Sequence, residues 1–448
     1  MTEQLFISIF FSIALLLFLV LRLRLNAFLA LLVASIGFGL SAGLPLQEII
    51  SNITSGMGNT LGFVATIVGL GAILGAVLEH SGGSQALAQF LLQKLGEKRA
   101  SLAFVLTGFL VAIPVFFDVA FVLLVPLVYA LGRRTGRSLL FFAIPLLAGL
   151  ATTHAFIPPT PGPIAVADIL KAELGWVIML GFVVGIPTVS VAGLWWGKRV
   201  GQRYMLEAPA LEVSADDTEA SLPPIRLILA LILLPIFLIL ANTLTDMLVK
   251  SEIWNASFWT DAALFVGHPY VALLLSCLLA LYYLGTKRGL TSSQLQALAT
   301  KALAPAGAII LITGAGGVYK QMLVQSGAGA ALAEVFLQFQ LLPPLLAFVL
   351  AALIRILQGS ATVAMITAAG LLAPALPALA LTAPQTALLV LSIAAGASTL
   401  SHVNDSGFWL VKEYLLMDEA TTLRTWSMMT VLLSLTALVM VLLVYPLV

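Results

Sequence analysis

The sequence predicts an all-α integral membrane protein built from two inverted-topology repeats, each with a re-entrant helical hairpin and a broken transmembrane helix. Three observations carry this reading. Hydrophobic residues make up 61% of the 448 and charged residues only 9%, whereas soluble domains carry roughly 25% charged residues. Six apolar runs precede a polar linker and six follow it. Stretches of the first half also recur in the second, displaced by 245 positions.

A membrane-spanning helix needs roughly 20 apolar residues. In the first half such runs lie near 4–21, 26–43, 60–79, 101–131, 138–157 and 176–197. The second half has them near 226–249, 266–285, 303–324, 344–376, 385–403 and 427–447. The first run has no basic residue before it and Arg22 and Arg24 after it. That is the reverse of a signal peptide, so the run reads as an uncleaved span with its N-terminus outside. Residues 1–200 form the first repeat and 225–448 the second. Between them, 201–224 reads as an acidic cytoplasmic linker with Glu207, Glu212, Asp216, Asp217 and Glu219.

The repeat is visible locally. Gly69-Leu-Gly-Ala-Ile-Leu-Gly-Ala-Val-Leu-Glu-His-Ser-Gly82 aligns with Gly314-Ala-Gly-Gly-Val-Tyr-Lys-Gln-Met-Leu-Val-Gln-Ser-Gly327. The same displacement pairs the long run 101–131, with the single charge Asp118, with 346–376, part of the run 343–377 whose single charge is Arg355. At about 1.5 Å rise per residue, each is too long for one span and too short for two spans and a turn. A hairpin entering and leaving on one side fits, with tips at Pro114–Asp118 and Gly359–Thr362. Seventeen of the 21 Lys and Arg then fall on one face, and only Lys171 and Lys250 on the other. The positive-inside rule makes the first face cytoplasmic. Both termini are then outside, and the halves have opposite topology.

Thr153-His-Ala-Phe-Ile-Pro-Pro-Thr-Pro-Gly-Pro163 ends the fifth run. Its prolines remove backbone donors and clash with the preceding turn, so the helix breaks there. Irregular backbone at membrane depth survives only when buried in protein or lining a watery cavity. Ser401-His-Val-Asn-Asp-Ser-Gly-Phe408 is its counterpart in the second half. Inverted repeats with broken helices place substrate near the midplane at the repeat interface, so the two tips and the two breaks are expected to converge.

Asp118 is the sharpest signal within them. A carboxylate far from either end of an apolar run is costly unless paired or protonated, which suits a proton carrier. His154 and His402 stand at matching places beside the two breaks, as substrate contacts or as caps on freed carbonyls. Ser360, Thr362, Asn404, Asp405 and Ser406 offer the donors and acceptors that a polyol needs. For Ser360 and Thr362 the alternative is close helix packing, and for Asp405 it is capping the helix that follows. Arg355 either pairs a substrate carboxylate or neutralises an acidic partner. Lys320 is open between a structural and a functional role, and His80 and His268 are read as interfacial. The net charge of +1 gives no reason to expect nucleic acid. The single cysteine, Cys277, excludes disulfide frameworks and Cys-based metal sites. No cofactor or metal is expected.

His154-Ala-Phe-Ile-Pro-Pro-Thr-Pro-Gly-Pro163, Gly359-Ser-Ala-Thr-Val-Ala364 and Ser401-His-Val-Asn-Asp-Ser-Gly-Phe-Trp409 together resemble the gluconate:proton symporter family of bacterial permeases. So do Gly108 to Pro126, Thr60-Leu-Gly62 and Trp409-Leu-Val-Lys-Glu-Tyr414, and the similarity runs over nearly the whole chain. The resemblance implies a bacterial inner-membrane permease for sugar acid anions, driven by the proton gradient, dimeric and multi-pass in the bilayer. Gluconate permeases carry histidine where this chain has Thr160, glutamate where it has Asp118 and proline where it has Ser406, so Thr160 is expected to bear on substrate choice. Glycerate and D-serine permeases are close relatives of the family, and sodium coupling is a further alternative. An anion channel and an intramembrane enzyme are competing classes; the sequence offers no nucleophile motif for the latter.

Overall fold

The computed structural model describes residues 2–209, 222–328 and 342–448, and every described element is helical. Eight of the described helices are long and apolar enough to cross a membrane. The linker residues Glu212, Asp216, Asp217 and Glu219 lie outside the described residues.

The first half begins with α1 (Thr2–Leu17) and α2 (Ala27–Ser41), packed on one another. The long α3 (Leu46–His80) and the shorter α4 (Gly83–Leu95) follow. Next come two helices joined by a turn, α5 (Ala100–Val111) and α6 (Phe117–Thr135). The helix α7 (Leu140–Phe156) breaks and resumes as α8 (Pro161–Leu170). α9 (Leu174–Val189) continues through one wider turn into α10 (Trp196–Arg203).

The second half repeats this order after its own opening helices, α11 (Ile225–Lys250), α12 (Phe258–Gly267) and α13 (Pro269–Ala280). A long α14 (Ser292–Gln325) matches α3. The pair α15 (Pro343–Gln358) and α16 (Ala361–Leu372) matches α5 and α6. The broken helix is α17 (Ala383–Ala397) and α18 (Ser406–Tyr414), and α19 (Met428–Val444) closes the chain. Both long helices stop at a Ser-Gly pair whose glycine is left-handed, with φ +77° at Gly82 and +76° at Gly327. α5 has twelve residues, about 18 Å of helix and short of the roughly 30 Å hydrocarbon layer, whereas α16 continues through Ala373–Ala375 and Leu376–Leu379 as a 19-residue helical stretch.

The long helices differ from expectation. The runs near 60–79 and 303–324 are the apolar parts of helices that begin fourteen and eleven residues earlier. The first turns of α3 carry Gln47, Glu48, Ser51, Asn52, Thr54 and Ser55, so hydrophobicity alone does not reveal them. Packing on α14 accounts for the extra length. The two helices run antiparallel and cross so closely that a Cβ on Gly56 would lie 2.7 Å from the Gly317 carbonyl oxygen, and one on Gly317 would lie 2.6 Å from that of Gly56. α4 and α12 were also not expected, being too short and too mixed in polarity to register as spans.

At the centre, α7 and α17 are buried almost all round, as expected of helices that are apolar on every face. α11 and α12 instead expose large apolar side chains such as Phe237, Phe258 and Trp259. In this apolar chain that is the mark of a surface turned to lipid.

The α3–α14 crossing gives a direct test. Gly317→Val forces the two backbones apart and is expected to cost about 1–3 kcal/mol, read as a lower Tm of the purified protein. Gly58→Ala, where a Cβ meets nothing within 4 Å, leaves Tm unchanged or slightly raised.

Candidate functional site

α7 ends at Phe156 because Pro158, Pro159 and Pro161 follow. In the break, the Thr160 hydroxyl donates to the Ile157 carbonyl at 2.8 Å, and Pro161 opens α8 at the position where its missing N–H costs nothing. α6 also opens without a side-chain cap, at Phe116, whereas the two interruptions of the second half have one. Ser360 caps α16, accepting from the Val363 amide at 3.4 Å. Asp405 caps α18, accepting from the Gly407 amide at 3.1 Å. Gly359 makes the turn before Ser360 with φ +85°, and its Cα lies against the Asn404 backbone, where a side chain has no room.

These interruptions converge on a cavity of about 560 Å³. Three helices begin at its wall: α6 with Phe117 and Asp118, α16 with Ala361 and Thr362, and α18 with Ser406 and Gly407. Each start presents N–H groups without helical partners and the positive end of a helix dipole. His154, Gln358, Ser398, Ser401 and Thr430 add polar groups, while Met365, Ile309 and Pro305 add apolar wall. Asp118 stands open to this space.

One ionic network holds the second hairpin to the second break. Arg355, 4% exposed, donates through Nη2 to Asp405 Oδ2 and through Nη1 to the Gly359 carbonyl. Ser401 Oγ donates to the same Asp405 oxygen and accepts from Trp426 Nε1 at 2.7 Å. The Trp426 ring lies 5.7 Å from that of Phe117, which ties the first hairpin's turn to the chain's last helical segment. Among the described residues, several buried side-chain nitrogens and oxygens lack a partner, and two of them belong to cavity-lining residues: His154 Nδ1 and Arg355 Nε. Both are buried atoms of residues that line the cavity.

The cavity thus gathers Asp118, His154, Arg355, Ser360, Thr362, Asn404, Asp405 and Ser406. Thr160 and His402 are not on its wall. Thr160 borders a small adjoining hollow with Val68, Gly71 and Phe116. His402 Nε2 lies 2.9 Å from the Ile356 carbonyl, which also accepts from Asn404 Nδ2 at 3.0 Å, so both side chains serve the freed C-terminal carbonyls of α15. The two histidines are also not structural equivalents. His154 lies within α7, whereas His402 comes after α17 has ended. Arg355 is already paired to Asp405 and the Gly359 carbonyl, which uses two of its five N–H donors. Lys320 donates to the Ile169 carbonyl at the end of α8 and lines a separate hollow with Lys171. Trp426 was missed in the sequence because a lone aromatic at the edge of an apolar run reads as the border of an ordinary span.

Removing one partner of a buried ion pair leaves an uncompensated charge. Arg355→Met is expected to lower stability by about 3–5 kcal/mol. Adding Asp405→Asn, which keeps the cap, is expected to restore most of it, and thermal unfolding of the two variants measures the difference.

Comparison with known proteins agrees with a helical membrane transporter. The description "GntP family permease" matches residues 4–448. The chain is 41% identical over 423 residues to a gluconate permease of Pseudomonas aeruginosa, covering 93% of this chain and 92% of the relative. It is 40% identical over 422 residues to the low-affinity gluconate transporter of Escherichia coli K12, covering 94% of each. Its fold is similar to the crystal structure of the Alcanivorax borkumensis YdaH transporter, with a TM-score of 0.66 at 18% identity over 90% of each chain. The chain belongs to the GntP family of permeases, membrane transporters rather than enzymes.

Proposed function

We propose that this permease takes up gluconate or a related sugar acid anion together with protons across the bacterial inner membrane. The observation that carries the reading is the meeting of three helix starts around one cavity with a carboxylate, Asp118, on one of them. Helix starts favour an anionic group, and the hydroxyl, amide and carboxylate groups beside them suit a polyol. The volume falls in the range of small-molecule sites, roughly 300–1,000 Å³.

Charge supplies the coupling. Asp405 is balanced by Arg355, whereas Asp118 has no cationic partner among the described ion pairs. An anion entering the cavity is repelled by ionised Asp118 and tolerated once Asp118 is protonated. Proton and anion therefore favour each other's binding, as thermodynamic linkage requires. Once loaded, the site is exposed to the inner face. His154 Nδ1 and Arg355 Nε are the atoms assigned to substrate. Thr160 and His402 act by shaping the breaks.

In this reading residues 1–200 and 225–448 are inverted repeats joined by a cytoplasmic linker, 201–224, with both termini periplasmic. The two hairpins re-enter from opposite faces, a view supported by the short leg α5 and by the distribution of Lys and Arg. The working unit is a homodimer, as the family resemblance implies.

Uptake of labelled gluconate into proteoliposomes under an imposed pH gradient tests the function. Accumulation is expected without sodium and is expected to collapse with a protonophore. Accumulation that ignores the protonophore refutes proton coupling, and no uptake of any sugar acid refutes the substrate class. Asp118→Asn is expected to abolish accumulation while leaving gluconate exchange measurable. Ser360→Ala is expected to raise the half-saturation concentration about tenfold, the cost of about one lost hydrogen bond to a charged group. Thr160→Ala, away from the main cavity, is expected to shift it less than threefold.

A further inference from the structure

A second chamber of about 380 Å³ adjoins the cavity. The two share Phe116, Val119 and Pro305 as a common apolar neck. One face of α14 runs through both spaces. Leu298, Lys301 and Ala302 line the chamber, Pro305 lines both, and Ile309 lines the cavity. Steps of three and four residues keep these side chains on one side of the helix. α3 supplies the facing wall at the same spacing, with Ala72, Gly75, Ala76 and Glu79. The turn of the first hairpin, with Pro114 and Val115, completes the lining.

The charges lie where α3 ends. His80 is the last residue of α3, Glu79 precedes it, and Lys301 stands across from them on α14. His80 and Lys301 are exposed. Glu79 feels the charge of both neighbours, yet the ion pairs among the described residues include none of the three. Apolar walls around a charged mouth concentrate its field. Glu79 opposes Lys301, so the mouth draws an anion in without holding it tightly.

We infer that this chamber is the aqueous mouth of the transport cavity and that Lys301 is an anion-steering residue in it, meeting the carboxylate on the outer side of the Phe116–Val119–Pro305 neck. The inference rests on the reading of the cavity as a transport site. It adds a second, weaker anion position and assigns it to residues on the two long helices. By the Lys and Arg distribution, the mouth opens on the cytoplasmic face.

Site-directed thiol labelling of the full-length chain tests this. Ala76→Cys and Ala302→Cys place a small thiol on each wall, and either one suffices if the other folds poorly. Cys277, the sole cysteine, is buried, so the unaltered chain is the blank. The probes are one negatively and one positively charged membrane-impermeant methanethiosulfonate, applied to right-side-out and everted vesicles. Labelling is expected from the cytoplasmic face, faster with the anionic reagent. Adding Lys301→Gln is expected to lower the anionic-to-cationic rate ratio about three- to tenfold, the size of one nearby charge in a partly watery space. Adding Glu79→Gln is expected to raise it. Labelling only from the opposite face, no labelling of either cysteine, or a ratio that Lys301→Gln does not move overturns the inference. The ratio reads reagent charge rather than the acid carried, so a failure of gluconate uptake leaves this result intact and is told apart from it.

Discussion

A helix that starts inside an apolar layer leaves its first N–H groups without helical partners, and lipid offers them none. Around one cavity this chain starts three helices, α6, α16 and α18, and it starts α8 beside an adjoining hollow. Much of the architecture serves that constraint. The prolines after Phe156 end one helix so that another can begin. Gly359 lets the second hairpin turn against the second break. Ser360 and Asp405 satisfy part of the exposed backbone. The N–H groups that remain, with the dipoles behind them, are the main-chain basis of the proposed anion site.

Side chains then set the sign of the charge balance. The Arg355–Asp405 pair contributes little net charge and a strong geometric tie, since it joins the α15–α16 turn to the start of α18. Ser401 extends the tie to Trp426, and Trp426 packs against Phe117 at the first hairpin's turn. The two hairpins are thus joined through a few defined contacts. Asp118 stands outside this network of hydrogen bonds and ion pairs, which is why the proposed coupling is assigned to it.

Much of this was legible in the sequence, for physical reasons that differ from element to element. That each long run folds as two helices joined by a turn, α5–α6 and α15–α16, was legible because its apolar length exceeds one span. The breaks were legible because clustered prolines, or Asn-Asp-Ser-Gly after an apolar run, cannot stay helical. Asp118, Ser360, Asp405 and Ser406 follow from the breaks, because residues at a helix start point where the backbone opens. Thr160 and His402 also lie beside breaks, but sequence does not say to which side an irregular segment turns them. The polar first turns of α3 stayed hidden because their helicity comes from the Gly56–Gly317 crossing, a contact between residues 261 positions apart.

The most direct test is the position of bound gluconate in an experimental density map of the loaded protein. The carboxylate is expected within hydrogen-bond reach of the first-turn amides of α6, α16 or α18, beside Arg355 Nε, with a hydroxyl at His154 Nδ1. A carboxylate seated elsewhere, such as the Lys320–Lys171 hollow, with these amides facing water, would contradict an anion site made of helix starts.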